Sequence, residues 1–339
     1  MTSTAPLTKK DFKSDQEVRW CPGCGDYGIL NAVQSAFASL GKSLHNTVVI
    51  SGIGCSSRFP YYMGTYGFHT IHGRAPAIAT GVKVANPELD VWVVTGDGDA
   101  LSIGANHFVH ALRRNVGVKI LLFNNRIYGL TKGQYSPTSE RGKQTKSTPM
   151  GSVDEPFRPL SLALGANASF VARSVDVFGP HLEQTLHDAA AHEGTALVEI
   201  YQNCNIYNDG AYRSFTEKSV RQDRVLYLED GQPLLFGEDK KKGIQLDSNF
   251  RPKIVEVGVD GVTVEDILVW DADAENLGLP MALTEMPEDQ FPVPIGVFRR
   301  RSRPTLDSSV AEQIEHARAS MGGETLDDLL AKGDTWTVG

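Results

Sequence analysis

The sequence predicts an α/β fold, a doubly wound parallel sheet with helices on both faces. Five short apolar runs have the length of buried strands, and four longer segments that alternate with them have helical length. The strands are predicted near 48–53, 91–95, 118–124, 169–172 and 196–201, and the helices near 27–40, 75–85, 104–115 and 180–193. Regular alternation of this kind is typical of a parallel sheet covered on both faces.

Polar motifs follow two of the predicted strands, at the point where each strand ends. The motif Gly96–Asp99 follows one strand, and the pair Asn124-Asn125 follows the next, with the helical segment 104–115 between them. In a parallel β-α-β unit, both strand ends emerge at the same edge of the sheet, where open α/β folds bind ligands. We therefore expect the Asp97 carboxylate and the Asn125 amide to lie side by side.

These side chains have the chemistry of a magnesium site. Magnesium takes six oxygen ligands, of which the protein usually supplies a few while phosphates and water supply the rest. Asp97, Asn125 and the backbone carbonyl of Ile127 would supply three, and Gly96 and Gly98 would let a diphosphate approach the backbone. Gly-Asp-Gly alone is usually a turn. Together with the two strands and the asparagine pair, it predicts a magnesium–diphosphate clamp of the kind that holds thiamine diphosphate.

The chain of 339 residues has four cysteines. Cys21 and Cys24 form a C-x₂-C pair, and Cys55 and Cys204 each lie just beyond a predicted strand, at the edge that carries the clamp. Four converging thiolates can hold a [4Fe–4S] cluster or a structural zinc ion, and the spacing alone does not separate these. An electron acceptor has a purpose beside a thiamine cofactor, whereas a closed zinc site has none, so we favour the cluster.

Several motifs together carry a family resemblance that covers roughly residues 15–225. The chain resembles the β subunits of the 2-oxoacid:ferredoxin oxidoreductases, and among them the 2-oxoglutarate type. The matching segments are Trp20–Gly25, Gly52–Ser56, His72–Ala75, Gly96–Asp99, Asn124–Gln134 and the region around Cys204.

The resemblance implies an activity and a set of cofactors. A 2-oxo acid would be oxidatively decarboxylated to an acyl-CoA and CO₂ with thiamine diphosphate and Mg²⁺, and the electrons would pass through one [4Fe–4S] cluster to ferredoxin. Coenzyme A is then a co-substrate. His72 is expected among the catalytic residues as well as in contact with the cofactor. The residues expected to bind the cofactor are Ile53, Gly54, Cys55, Ser56, His72, Gly96, Gly98, Asp99, Gly129 and Leu130.

Two basic residues indicate the substrate. Arg58 follows Cys55 closely and Lys132 follows Asn125, so both should point toward the reacting end of the cofactor. A fixed cation there would hold the second carboxylate of 2-oxoglutarate, and family members that accept this acid resemble the chain in having basic residues here. We therefore favour 2-oxoglutarate. The alternatives are a pyruvate:ferredoxin oxidoreductase β subunit or a non-redox thiamine-dependent decarboxylase with a zinc site.

One part of a thiamine site is missing from the sequence. Thiamine chemistry needs a glutamate beside the aminopyrimidine ring, carried in related enzymes by a second α/β domain. The residues before Gly96 are too few for such a domain. The resemblance accordingly implies that a partner α subunit supplies this glutamate, in a heterodimer or a dimer of heterodimers. We expect residues 1–225 to form the cofactor domain and residues 226–339 a C-terminal extension that packs on it and on the partner.

Composition excludes several other functions. A formal net charge of −8 argues against nucleic acid as a partner. No apolar run approaches the ~18 residues of a membrane span. The sequence shows no hydrophobic N-terminal segment of the kind that directs secretion, and its few cysteines do not suggest a disulfide framework. The expected location is therefore cytoplasmic.

Overall fold

The structure, a computed structural model, describes residues 6–323, 325–334, 336 and 338. Positions 324, 335, 337 and 339 of the expected C-terminal extension lie outside the described residues. The helices are α1 (Asp26–Ser39), α2 (Ala75–Ala85), α3 (Asp97–Leu101), α4 (Ala105–Arg114), α5 (Pro159–Gly165), α6 (Gly179–Ala191), α7 (Arg213–Thr216), α8 (Arg221–Arg224), α9 (Gly278–Thr284), α10 (Leu306–Met321) and α11 (Leu326–Ala331). Short 3-10 helices span Ser56–Tyr62, Glu238–Lys240 and Val264–Asp266.

The strands build a large sheet and a small one. They are β1 (Thr47–Ser51), β2 (Tyr66–His69), β3 (Asp90–Gly96), β4 (Val118–Asn124), β5 (Phe170–Val175), β6 (Ala196–Tyr201), β7 (Val225–Leu228), β8 (Leu235–Phe236), β9 (Lys242–Leu246), β10 (Pro252–Glu256) and β11 (Val293–Arg300). The large sheet has the order β2-β1-β3-β4-β6-β5-β11-β7, and the small one the order β10-β9-β8. Within the large sheet, β11 is antiparallel to β5 and the other pairs are parallel. The predicted fold class is confirmed.

Helices cover both faces of the large sheet. Alternate strand residues face opposite sides: Val49 and Trp92 pack with α1 and α6, whereas Val48 and Val93 pack with α2, α4 and α5. Because both faces are buried, the central strands read in the sequence as continuous apolar runs. The strand positions expected for β1, β3, β4, β5 and β6, and the helix positions expected for α1, α2, α4 and α6, agree with the structure.

The residues after 225 complete the large sheet. They contribute β7 and β11 to it, and the buried Trp270, Leu283 and Phe298 join the core on the α5 side. The strand signal of β11 in the sequence is weak because Pro294 and Gly296 lie inside it. In the structure, a register shift interrupts its pairing with β5 between Val297 and Arg299, and Gly296 has φ 116°. The division at residue 225 stays a prediction, but the extension is structurally continuous with the cofactor domain.

A long loop, residues 135–158, runs from the clamp region to α5. The beginning of this loop is buried at Ser136, Thr138 and Ser139. It therefore packs against the carboxyl edge of the sheet and does not extend into solvent. Across the described ranges, no helix combines the length and the apolar character needed to cross a membrane.

Candidate active site

The predicted clamp residues line one cavity at the carboxyl ends of β3 and β4. Asp97 begins α3 directly after β3, and Asn125 and Ile127 follow β4. The cavity has a volume of about 100 Å³. Its wall contains the expected magnesium ligands Asp97, Asn125 and Ile127. It also contains every residue expected to bind the cofactor: Ile53, Gly54, Cys55, Ser56, His72, Gly96, Gly98, Asp99, Gly129 and Leu130.

The Asp97 carboxylate is almost completely buried, with 2% of the residue exposed. Its Oδ2 accepts hydrogen bonds from Ser136 Oγ and Thr138 Oγ1, each at 2.5 Å. Burial raises the pKa of Asp97, and these hydroxyls only partly offset the rise. A buried carboxylate whose contacts are hydroxyls and backbone amides lacks a cation. The two hydroxyls from the long loop were missed by sequence reasoning, because nothing in their spacing ties them to Asp97.

A buried hydrogen-bond network connects the clamp to the side chains of the neighbouring strands. Thr138 Oγ1 also lies 2.8 Å from Asn124 Oδ1, and the Asn124 amide donates to Glu199 Oε1 at 2.8 Å. Glu199 in turn pairs with Arg173 at 2.7 Å. All of these side chains are buried, so their partners hold each of them in one orientation. In the sequence, Asn124 stands out only as the first member of the asparagine pair, and nothing there indicates its contacts with Thr138 and Glu199.

The loop after β4 is held in an unusual conformation. Asn125 Oδ1 accepts a hydrogen bond from the Ile127 amide at 3.1 Å, and Arg126 between them has φ 56°, in the left-handed region. The Arg126 guanidinium pairs with Glu288 of the extension and lies over the Tyr212 ring at 4.7 Å. Surrounding contacts must hold a non-glycine residue in this region, and such strain concentrates at functional sites.

Asp99 organises the loops around the cavity. Its Oδ1 accepts hydrogen bonds from the backbone amides of Ile53 at 3.1 Å and Gly73 at 2.7 Å, and lies 2.5 Å from His72 Nδ1. Thr95 Oγ1 donates to its Oδ2 at 2.6 Å. One carboxylate therefore ties the turn after β1 to the turn before α2. The expected cofactor contacts His72 and Ile53 are thus positioned by Asp99.

Glycine is required where Tyr128 crosses the motif. A Cβ atom on Gly98 would lie 2.2 Å from Tyr128 Cε1, and the Tyr128 hydroxyl donates to the Gly98 carbonyl at 3.1 Å. A Cβ atom on Gly129 would lie 3.5 Å from Cys204 Sγ and 3.6 Å from Cys55 Sγ. Gly129 is therefore the point where the clamp meets the cysteines.

The four cysteines surround a second cavity, of about 210 Å³. Cys21 and Cys24 lie in the turn before α1, Cys55 precedes the 3-10 helix after β1, and Cys204 follows β6. All are free thiols. This cysteine cavity shares Cys55, Asn125, Gly129 and Leu130 with the clamp cavity, so the two adjoin.

The cysteine cavity holds acidic groups that are buried and have few hydrogen-bond partners. Burial raises the pKa of the Cys24 thiol and brings that of Cys55 to about 12. Asp26, the first residue of α1, also lines the cavity; it is 1% exposed and neither carboxylate oxygen accepts a hydrogen bond. Burial raises the pKa of Asp26 to about 7, an effect that the Cys24 thiol partly offsets. Buried polar groups with few partners are often found beside a bound ion or water.

Basic residues form another part of the wall of the cysteine cavity. Arg58 and Lys132 both line it, together with Arg19, which sequence reasoning missed. Arg58 donates to the Arg19 carbonyl at 3.2 Å. Lys132 has φ 77°, and its amide donates to the Gly129 carbonyl at 3.0 Å in a tight turn. The two cations expected to bind substrate therefore lie at the cavity beside the clamp.

Known proteins are similar to this chain in sequence and in fold. The family described as thiamine pyrophosphate enzyme, C-terminal TPP binding domain, matches residues 52–200. The 2-oxoglutarate oxidoreductase subunit KorB of Mycobacterium tuberculosis is 53% identical over 99% of this chain and 90% of its own. The 2-oxoglutarate synthase subunit KorB of Archaeoglobus fulgidus is 41% identical over 66% of this chain and 84% of its own.

A solved structure is similar over almost the whole chain. The 2-oxoglutarate:ferredoxin oxidoreductase from Magnetococcus marinus, with 2-oxoglutarate, coenzyme A and succinyl-CoA bound, has a TM-score of 0.77 and 34% sequence identity. The match covers 98% of each chain. The similarity therefore includes the C-terminal extension as well as the part that carries the motifs.

Proposed function

This chain belongs to the β subunits of the 2-oxoacid:ferredoxin oxidoreductases, and we propose that with an α subunit it oxidises 2-oxoglutarate to an acyl-CoA and CO₂, passing the electrons to ferredoxin. The observation that carries this proposal is the shared wall of the clamp cavity and the cysteine cavity. Decarboxylation and single-electron transfer need their cofactors side by side. Gly129, with no side chain, lies between the two.

The clamp residues fit magnesium and a diphosphate. Asp97, Asn125 and the Ile127 carbonyl would hold the ion, and the glycines of the motif would admit the diphosphate. Among the described residues, no group of three or more His, Cys, Asp or Glu side chains is placed to hold a metal ion. A magnesium site of this composition would not form such a group, since it has one carboxylate and takes its other ligands from an amide, a carbonyl and the cofactor.

The cysteines fit a [4Fe–4S] cluster better than zinc. A zinc ion needs four sulfur atoms within about 2.3 Å of one point. The thiols instead line the wall of a cavity of about 210 Å³, a space much larger than one ion. A cluster in which each cysteine binds a different iron suits this arrangement.

Each group then has a defined task. Thiamine diphosphate, when bound, supplies the electron sink for decarboxylation, and the cluster accepts electrons one at a time. Asp97 and Asn125 anchor the diphosphate end, while Asp99 keeps His72 and the turn at Ile53 against the cavity. Arg58 and Lys132 would bind the distal carboxylate of 2-oxoglutarate through charge-assisted hydrogen bonds. Coenzyme A is the second substrate in this proposal.

The size of the clamp cavity supports a requirement for the α subunit. Complete small-molecule sites are typically about 300–1,000 Å³, whereas the clamp cavity is about 100 Å³. A partner that closes this edge would add the remaining wall, including the glutamate beside the aminopyrimidine ring. The proposed assembly is a heterodimer or a dimer of heterodimers, and ferredoxin is the proposed electron carrier.

Anaerobic co-purification with the α subunit tests this function. We expect bound thiamine diphosphate, iron and sulfide in the ratio of one [4Fe–4S] cluster, and ferredoxin reduction that requires 2-oxoglutarate and coenzyme A. Zinc in place of iron would overturn the redox proposal. Ferredoxin reduction with pyruvate but not 2-oxoglutarate would overturn the substrate assignment only.

A further inference from the structure

We propose that Gln202 is a positioning residue for both cofactor sites: it orients the magnesium ligand Asn125 and donates a hydrogen bond to the cluster ligand Cys24. This inference rests on the proposed function for the identity of the two groups. Gln202 follows β6 directly and is 1% exposed. None of the sequence motifs drew attention to it.

One side chain contacts both sites. Gln202 Oε1 accepts a hydrogen bond from Asn125 Nδ2 at 2.9 Å. Its Nε2 donates to the Asn203 carbonyl at 2.7 Å and to Cys24 Sγ at 3.2 Å. The amide reaches both because β4 and β6 are adjacent and parallel, so that the residues after each strand emerge together.

The network leaves one orientation for each amide group. The Asn203 carbonyl can only accept, so the atom of Gln202 that faces it must be the NH₂ nitrogen, and Oε1 then faces Asn125. Asn125 must present its own NH₂ group to Gln202. Its Oδ1 is therefore the atom that accepts from the Ile127 amide and faces the clamp cavity, as a magnesium ligand must. Without Gln202, only the Ile127 amide would hold the Asn125 side chain in this orientation.

The second hydrogen bond acts on the cluster. A hydrogen bond to a ligand sulfur stabilises negative charge on it, and this matters more in the reduced state, which carries one more electron. The Gln202 N–H group therefore raises the reduction potential relative to a cluster without it. Because the same amide is also bonded to Asn125, Gln202 sets cofactor anchoring and electron affinity together.

Two substitutions separate these roles in the anaerobic α/β complex. Gln202→Met removes all three side-chain hydrogen bonds at similar volume, whereas Gln202→Glu retains an oxygen for Asn125 and loses the N–H donors. Gln34→Met is the matched control, since Gln34 is a buried glutamine whose amide donates only to the Tyr62 carbonyl. The readouts are the affinity for thiamine diphosphate at fixed Mg²⁺ and the midpoint potential of the cluster by spectroscopic redox titration.

We expect Gln202→Met to weaken thiamine diphosphate binding by about 10- to 100-fold, as loss of support behind a metal ligand does, and to shift the midpoint potential to a more negative value. Gln202→Glu should keep the affinity close to wild type and shift only the potential. Gln34→Met should change neither. Unchanged affinity and potential in Gln202→Met, or equal loss of affinity in both Gln202 variants, would overturn the proposal.

A double-substitution cycle keeps the test valid if a variant assembles little cluster. Gln202→Met should weaken cofactor binding in the wild-type background but add nothing to Asn125→Ala, because its effect on the clamp passes through Asn125. Full additivity would contradict the inference. Failure of the wild-type complex to bind thiamine diphosphate or iron would instead contradict the proposed function, so the two failures are distinguishable.

Discussion

The clamp cavity and the cysteine cavity share a wall but differ in how their acidic groups are satisfied. In the clamp cavity, Asp97 accepts two hydroxyl hydrogen bonds, and Asp99 accepts two from backbone amides and one from Thr95. In the cysteine cavity, neither oxygen of Asp26 accepts a hydrogen bond, and burial raises the pKa values of Cys24 and Cys55.

This difference shows how each site is formed. The protein builds the clamp in advance, because hydroxyls and backbone amides fix its carboxylates before any cofactor binds. The cysteine cavity contains groups that burial disfavours and that few hydrogen bonds offset, so under the proposed function its arrangement depends on the positive charge of the cluster core. Loss of the proposed cluster should therefore disturb its surroundings, whereas loss of the proposed magnesium ion should leave the clamp residues in place.

The largest expected effect is on the proposed cluster. Cys21→Ser should lower the iron content and abolish electron transfer to ferredoxin, because serine is a poor iron ligand at a site that has only four thiolates. The same should hold for Cys24, Cys55 and Cys204. Iron analysis, the visible spectrum and ferredoxin reduction measure this.

Thiamine diphosphate binding provides the contrast for this variant. Cys21 lines the cysteine cavity but not the clamp cavity, so the Cys21→Ser complex should still bind the cofactor with magnesium. A full cluster spectrum and full turnover in the variant would show that Cys21 is a bystander. Loss of thiamine diphosphate binding would show that the two cavities do not form independently.

The next largest effect is at the clamp. Asp97→Ala should remove magnesium-dependent thiamine diphosphate binding and leave the fold intact, since the ion would lose its only carboxylate ligand from this chain. Calorimetric titration of the cofactor with and without magnesium measures this, and circular dichroism checks the fold. Unchanged cofactor affinity would refute the clamp assignment.

The substrate cations should have a selective effect. Lys132→Ala or Arg58→Ala should reduce kcat/KM for 2-oxoglutarate by roughly ten- to a hundredfold, because a lost charge-assisted hydrogen bond costs about 1.5–3 kcal/mol. Pyruvate has only a methyl group at that end and should lose little. Steady-state kinetics of the α/β complex with both acids provide the comparison. Equal losses would mean that these residues position the loop or the cofactor and not the distal carboxylate.

The smallest effect tests whether the clamp is built in advance. Thr138→Val removes one hydroxyl from Asp97 at nearly constant volume and should weaken magnesium-dependent thiamine diphosphate binding about tenfold. Thr145→Val is a matched control in the same loop, since the Thr145 hydroxyl bonds only within that loop. Equal affinities for the two variants would mean that the hydroxyls do not orient Asp97.

Features that follow directly from strand ends could be predicted from the sequence. Asp97 and Asn125, and the cysteines Cys55 and Cys204, all come just after buried strands, and parallel pairing brings such positions to one edge. The central strands were predictable for a related reason, since burial on both faces leaves continuous apolar runs.

Features that depend on long-range contacts could not be predicted in this way. Thr138 reaches Asp97 from a loop with no periodic pattern, and Gln202 acquires its role only when β4 and β6 pair. The edge strand β2 was missed because Tyr66–His69 is only four residues long and exposed throughout, so no buried apolar run marks it in the sequence. In each case the signal lies in a contact between distant segments and not in local composition.

The position of β11 in the sheet also determines when the large sheet can be completed as the chain folds. This strand comes from residues 293–300, yet it pairs on one side with β5 and on the other with β7. During synthesis the strands that carry the clamp and the cysteines leave the ribosome long before β11. Until β11 arrives, β5 is an open sheet edge, and such an edge invites pairing with other chains. By pairing with β5, the extension closes this edge and removes a surface on which incompletely synthesised chains could aggregate.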